Sequence, residues 1–472
     1  MEQIFTITLS VYLRFRKFLE YFKNLSRRLL NSYETRKEGT CFMDKLKGKK
    51  LLILGATYSE VSLVQRAQKH GVIVYVTDNH TDYTLSPAKN YADYAWDVSW
   101  SDIEKLYVLC KENHIDGVTA GYSEIRVECL IRLCEKLGLP CYITMDQLEV
   151  TRDKIRFKNE CKANGIPVIK EFSSPQDVDV FPVIVKPVDR AGSIGISIAH
   201  NYEELIKSYN YAMEMSLTKQ VIIEEYITNA VKFDVYYEIV DGVIKMISSD
   251  DVINAANNGG KKVVQSGWIL PSIHQEQYKR KADTNIRKMI QNLGIKNGYM
   301  FFSGFADKNS NFAFFECGFR LCGGYLFNYF PDMGFHNQLD IFIYHALTGS
   351  SKGAEQGKLI DKDMKCVTIN LYSKTGTIST IEGWEKIQNM EDCRFTLQYA
   401  HLGQKCDEKQ AILSKIGMAY FCNTSFEKLA KDVEEMYKYI SVKGENGEDL
   451  IFDRVDPEYI VSWEKGEILN GL

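Results

Sequence analysis

Apolar positions along this chain alternate between short continuous runs and stripes at helical spacing. Leu51-Leu-Ile-Leu54 is an apolar run, followed by Gly55-Ala-Thr-Tyr-Ser59 and a helical pattern to about His70. Val72-Ile-Val-Tyr-Val76 is a second run that ends at Thr77-Asp78. This strand–helix–strand start predicts a parallel α/β sheet, whose ligand side is the C-terminal end of its strands. A helix is expected over Asp102–Asn113, a strand over Asp116-Gly-Val-Thr-Ala120, and a turn at Gly121-Tyr-Ser123-Glu124. Gly55 lacks the second and third glycines of a dinucleotide fingerprint, so NAD is not expected here.

Further along, residues 152 to 164 read as one helix that carries Lys154 and stops at Asn164-Gly165-Ile-Pro167. Phe181-Pro-Val-Ile-Val-Lys186-Pro187 reads as a buried strand that delivers a single lysine. The loop after it, Asp189-Arg-Ala-Gly192-Ser193-Ile-Gly195-Ile196, has small residues whose backbone N–H groups can close on phosphate oxygens, with the Ser193 hydroxyl as a further donor. Val221-Ile-Ile-Glu224-Glu225-Tyr226-Ile227 is an apolar strand running into a polar hinge, suited to an adenine edge and ribose hydroxyls. Asp234–Val240 is a strand leading to a hairpin turn at Asp241-Gly242. Phe314-Phe-Glu316-Cys-Gly318-Phe-Arg320 then sets a carboxylate and a guanidinium four residues apart, just before Gly323-Gly324. Glu316 can hold a divalent cation and Arg320 can grip an anion; the plainer alternative is an ordinary Glu–Arg pair. After about residue 350, Lys365–Leu371 reads as a strand, Gly376–Gly383 as a hairpin arm and Glu427–Ile440 as an amphipathic helix.

The order Lys154, Lys186, Gly192-Ser193-Ile-Gly195, Glu224-Glu225-Tyr226-Ile227, Glu316, Arg320 resembles the ATP-grasp superfamily, from about residue 48 to about 460. The likeness is to the carboxylate–amine ligases of the purine-synthesis and biotin-carboxylase type. It implies an α/β, ATP-grasp fold with an N-terminal doubly wound pre-ATP-grasp domain, a small α+β lid and a C-terminal α/β subdomain. The expected boundaries are an extension over 1–47, the first domain over 48–145, the ATP-grasp domain over 146–348 with its lid at about 170–228, and the last subdomain over 349–472. The implied cofactors are ATP and Mg²⁺. Lys154, Lys186, Gly192, Ser193, Gly195, Glu224, Glu225, Tyr226 and Ile227 would bind the nucleotide, Glu316 would hold the metal, and Arg320 and Lys186 would be catalytic. The substrates would be a small carboxylate and an amine, and a homodimer is common among the resembled enzymes. Two alternatives stay open: a bicarbonate-phosphorylating enzyme of the same fold, and an ATP-binding regulatory protein with impaired catalysis.

The chain departs from the family pattern at several positions. Gly318 stands where a metal-ligating Asn is usual, and Ser303 stands where a first metal-binding acid belongs. Asp307 is near but falls in the turn Asp307-Lys-Asn-Ser-Asn311, and Lys232 and Asp234 lie near the place of the usual ribose-binding acid. Glu124 is a candidate for binding an amine or, equally, an acid stabilised by its helix N-terminus. Tyr325, Phe327, Tyr329 and Phe330 are candidates for lining a substrate pocket.

Composition narrows the class further. The 472 residues, 45% hydrophobic and 25% charged, suit two to four domains of an ordinary globular protein. A formal charge of −4 gives no footprint for nucleic acid. The 12 cysteines are scattered without a CxxC pair, which predicts reduced thiols in a cytoplasmic protein. Cys317 and Cys322 flank the proposed metal site and are expected to be packing residues. Between residues 12 and 30, Phe15, Phe18, Leu19, Phe22, Leu25 and Leu29 keep helical spacing, with Arg16, Lys17, Lys23, Arg27 and Arg28 on the other face. Such a helix suits weak contact with an anionic membrane surface, against the alternative of a poorly packed extension.

Overall fold

Four sheets organise the residues that the computed structural model describes: 45–189, 195–228, 230–254, 264–407 and 414–464. The chain divides into two compact units, residues 1–47 and residues 48–472. The amphipathic segment 12–30 lies outside the described residues, as do Gly192 and Ser193 of the glycine loop.

The first sheet is parallel, with strands β1 (Lys50–Leu54), β2 (Ile73–Thr77), β3 (Tyr94–Trp96) and β4 (Gly117–Ala120) in the order β3-β2-β1-β4. Leu51 to Leu54 are fully buried, as expected of a strand covered on both faces. The helix Ile103–Asn113 starts where the Asp102 carboxylate accepts the Lys105 N–H at 3.1 Å, and ends at His114 in the left-handed region, φ 54°.

One expectation is corrected at the next helix. Residues 152 to 164 do not continue as one helix, because Asp153 is extended (ψ 117°) and separates Met145–Arg152 from Lys154–Ala163. Its carboxylate accepts the N–H groups of Ile155 and Arg156, both at 2.9 Å. Lys154 therefore begins a capped helix.

A small antiparallel sheet follows, formed by β5 (Glu171–Phe172), β6 (Val183–Pro187), β7 (Ser197–Ala199) and β8 (Val221–Glu225) in the order β5-β8-β6-β7. One face packs Val183, Val185 and Ile223 against Leu205 and Ala212 of the helix Tyr202–Met215. Gly195 holds φ +76°, and a Cβ there would meet the Pro187 ring at 2.6 Å, so only glycine closes this loop unstrained.

The largest sheet has eight strands. They include β9 (Ala230–Val240), β10 (Val243–Asn254), β11 (Gln265–Leu270), β12 (Gly298–Asp307), β13 (Phe312–Gly318) and β14 (Lys365–Tyr372). Between β14 and the end come β15 (Gly376–Glu382), β16 (Cys393–Gln398), β17 (Lys405–Cys406), β18 (Lys415–Asn423) and β19 (Ser441–Gly444). The order of the large sheet is β13-β12-β9-β10-β11-β14-β18-β16. Asp241 (φ 46°) and Gly242 (φ 84°) turn β9 into β10, and the Asp307 carboxylate closes the β12–β13 turn on the N–H groups of Asn309 and Asn311. The C-terminal strands β14, β18 and β16 continue this same sheet. The stretch Gly376–Gly383 is not an arm folded on its neighbour: β15 pairs with β17 and β19 instead. The helix Phe426–Tyr439 covers this end with Leu429, Val433 and Met436 over Ile369, Leu371 and Phe421, all fully buried. Among the described residues, no helix is long and apolar enough to cross a membrane.

Candidate active site

Strand alternation gives β9 and β12 two faces with different work. On one face Phe302 meets Phe157, with ring centroids 6.2 Å apart, and Phe233 meets Tyr278 at 5.4 Å. This face is core. The opposite face carries the polar residues, and register decides which of them meet. Asp250 on β10 lies directly opposite Asp234 on β9, Asp234 opposite Ser303 on β12, and Ser303 opposite Glu316 on β13. Four residues distant in sequence thus form one row across four adjacent strands.

Lys232 stands two residues before Asp234 on the same face, with its Nζ 3.5 Å from the Asp234 carboxylate. Tyr236, two residues after, donates its hydroxyl hydrogen bond to Asp250. Burial, with Asp234 opposite, pushes the Asp250 carboxyl well above the usual range. Asp234 Oδ1 and Asp250 Oδ1 are buried and accept no hydrogen bond.

A β-bulge sets the edge of the row. Ser303 pairs with Glu316 and Gly304 with Phe314, so Phe315 is an extra residue in β13. The bulge turns Phe315 onto the polar face, where its ring lies 5.3 Å from that of Phe305. Lys186 of the small sheet lies over Phe315, its Nζ 5.8 Å from the ring centroid. The lysine thereby lies over the residue that precedes Glu316, whose carboxylate is half-buried and has no hydrogen bond or ion pair among the described residues.

Lys186 is held from the other side by Glu224, at 2.5 Å. Glu224 is 1% exposed and is also bonded by Lys158, which in turn pairs with Glu171 at 2.9 Å. Burial opposes the Glu224 charge, but the two ammonium groups outweigh it and hold its carboxyl below the usual range. Glu224 thus positions lysines in this structure. Glu225, Tyr226 and Ile227 are half-buried at the end of β8, where the Glu225 N–H bonds Lys170 O and the Tyr226 N–H bonds Pro182 O, each at 3.0 Å. Lys154 begins its helix half-buried, and its ammonium pairs with no carboxylate among the described residues.

Arg320 closes a third side. Its guanidinium lies over the Phe301 ring at 5.3 Å, donates from Nη1 to Leu321 O at 3.0 Å, and faces Glu124 at 3.5 Å. Glu124 is at once the first residue of the helix Glu124–Leu137 and the partner of Arg320. Phe301 also explains Gly318, its cross-strand partner. A Cβ at residue 318 would lie 2.3 Å from the Phe301 ring, so that ring occupies the place of a side chain. Lys186 over Phe315 and Arg320 over Phe301 thus flank the polar face on which Glu316 pairs with Ser303.

Sequence reasoning missed Lys158, Asp250 and the part played by Phe301 and Phe315. Lys158 lies four residues after Lys154, on the same side of the helix, which is the one signal it offered. Cys317 points to the core and bonds Thr151 O at 3.7 Å, in keeping with a packing role. Tyr325, Phe327, Tyr329 and Phe330 are all buried; Tyr325 Oη meets Ser59 Oγ at 2.9 Å.

Comparison with known proteins bears on this arrangement. Residues 133–296 match the family model described as D-ala D-ala ligase C-terminus. A formate-dependent phosphoribosylglycinamide formyltransferase of Prochlorococcus marinus is 28% identical over 273 residues, 54% of this chain and 67% of that protein. The carbamoyl phosphate synthase large chain of Thermoanaerobacter pseudethanolicus is 22% identical over 257 residues; that match covers 51% of this chain and 24% of the relative. The chain has the ATP-grasp fold. The fold agrees along most of its length. The biotin carboxylase domain of Hydrogenobacter thermophilus 2-oxoglutarate carboxylase, solved with MgADP and bicarbonate, superposes with a TM-score of 0.70 at 16% identity, covering 89% of this chain and 96% of that one. An L-amino acid ligase from Bacillus licheniformis gives 0.67 at 17% identity, covering 85% of this chain and all (100%) of that one. In ATP-grasp terms the β5–β8 sheet is the lid, and the face of β9, β12 and β13 is the floor beneath it.

A magnesium ion fits this floor at one place. Glu316 offers a half-buried carboxylate with no hydrogen bond or ion pair among the described residues, and Mg²⁺ needs only one or two protein carboxylates beside phosphates and water. Among the described residues no group of three or more His, Cys, Asp or Glu is arranged to hold a metal.

Proposed function

We propose that the chain is an ATP-dependent ligase that activates a small carboxylate as an acyl phosphate and joins it to an amine. The observation that carries this reading is the lid lysine Lys186, held by Glu224 and set over Phe315, the neighbour of Glu316 in β13. A fixed ammonium over the residue next to an acid suits a triphosphate carrying a divalent cation.

A carboxylate oxygen of the substrate attacks the γ-phosphorus and ADP leaves. The amine nitrogen then attacks the acyl carbon, phosphate leaves, and the nitrogen gives up a proton. In phosphoryl transfer the protein mainly positions groups and neutralises charge. Lys186 and Lys154 neutralise phosphate oxygens, and Glu224 keeps Lys186 aimed. Arg320, with its stacking face on Phe301, holds the transferring phosphoryl group or the substrate carboxylate. Glu316 would hold Mg²⁺, which would supply further charge neutralisation when bound. The lid loop through Gly192, Ser193 and Gly195 excludes water, which would otherwise hydrolyse the acyl phosphate.

ADP release is the test, measured with amino acids, hydroxy acids, formate and bicarbonate, each with and without amines. Release that needs both a carboxylate and an amine is expected. Release with bicarbonate alone would point to the bicarbonate-using alternative. Mg-ATP binding with no release on any substrate would reduce the chain to a nucleotide-binding module.

A further inference from the structure

The acid row carries its own cation. Lys232 lies on the polar face between Asp234 and the lid side, with 15% of its side chain exposed and its Nζ 3.5 Å from Asp234. Burial works against its charge, but the facing acids, Asp234 first and then Glu316 and Asp250, outweigh that and raise its pKa above the usual lysine value. Two features lower the need of this row for metal. Ser303 puts a hydroxyl, not a carboxylate, between Asp234 and Glu316. Lys232 then sets an ammonium against Asp234, which leaves Glu316 as the acid of the row without an ion pair among the described residues. The buried, unpartnered oxygens of Asp234 and Asp250 mark what would be left if Lys232 were gone: two carboxyl groups facing each other beside a third.

We propose that Lys232 is a resident cation that fills the place of a divalent ion in the acid row, so that the site takes its triphosphate with a single metal ion. The triphosphate part of this statement rests on the ligase reading; the Lys232 part does not.

Counting bound Mn²⁺ by electron paramagnetic resonance tests it, using the full chain and its Lys232→Met and Lys232→Arg variants. Each is measured alone and with the non-hydrolysable analogue AMP-PNP. Wild type is expected to hold one Mn²⁺ per chain with the analogue. Lys232→Met is expected to hold one more than wild type in both conditions, and Lys232→Arg to match wild type. Equal counts in wild type and Lys232→Met overturn the inference. A wild-type count of two with the analogue overturns it too, and needs no variant to fold. A gain in Lys232→Met alone, with no analogue bound by any form, would leave the resident cation standing and remove the ATP reading.

Discussion

Two lysines share Glu224, and replacing them one at a time should separate structure from chemistry. Lys158 is 1% exposed and its ammonium pairs with Glu224 and Glu171, whereas Lys186 reaches from Glu224 to the Phe315 ring next to Glu316 in the chain. Methionine keeps the length of either stem and removes only the ammonium. Breaking a buried pair outright costs about 3–5 kcal/mol, because it strands a charge. Here either single change leaves Glu224 with its other lysine, so each should cost less, about 1–3 kcal/mol of stability. The double variant strands Glu224 fully and should lose more than the sum of the singles, and Glu224→Gln should restore most of the loss. Nucleotide affinity should divide differently. Losing a charge-assisted phosphate contact costs roughly 2–4 kcal/mol, so Lys186→Met should weaken binding about 30- to 1000-fold. Lys158→Met should weaken it less than about fivefold, roughly 1 kcal/mol. Thermal unfolding and calorimetric titration with AMP-PNP and Mg²⁺ give both quantities. Equal loss of affinity in the two single variants, or additive stability losses in the double, would refute this division.

Two further outcomes follow from the packing. Gly318→Asn should destabilise the chain by about 1–3 kcal/mol, since the new side chain overlaps Phe301, and Phe301→Ala should relieve much of that cost; equal stability of Gly318→Asn and wild type, by chemical denaturation, would show that the ring moves freely. His345 is buried in the helix Gln338–Thr348, and burial lowers its pKa to about 4 from an unfolded value near 6.5. The unfolded chain then takes up the proton first, so stability present above about pH 6.5 is lost as pH falls toward 4, by roughly 3 kcal/mol in all. The difference in unfolding free energy between His345→Leu and wild type, followed from pH 7 to pH 4, should shift by that amount; a constant difference would count against it.

Local features were legible because local chemistry sets them. The fully apolar run Leu51–Leu54, the Asp241-Gly242 and Asp307–Asn311 turns and the strand ending in Lys186 all declare themselves within a few residues. Those strands and turns appear where they were expected. The acid row did not, because its members lie at 234, 250, 303 and 316 and meet only through the registers of three strand pairs. A single bulge at Phe315 decides which face that side chain joins, and no pattern in Phe314-Phe315-Glu316 announces it. The break at Asp153 was hidden for a related reason. An aspartate can sit inside a helical stretch or cap a new one, and the choice depends on where the preceding helix is anchored. Gly318 read as a missing ligand until its partner strand showed the Phe301 ring in that space. Glu224 read as a nucleotide contact, and only the fold reveals the two lysines it holds.

The central claim is that Lys154, Lys186, Glu316 and Arg320 surround one triphosphate. A crystal structure of the chain with AMP-PNP and Mg²⁺ tests it most directly. The triphosphate should lie between the lid and the β9–β12–β13 face, with Lys186 on its oxygens and the cation on Glu316. A nucleotide bound elsewhere, or a cation that ignores Glu316, would contradict the account.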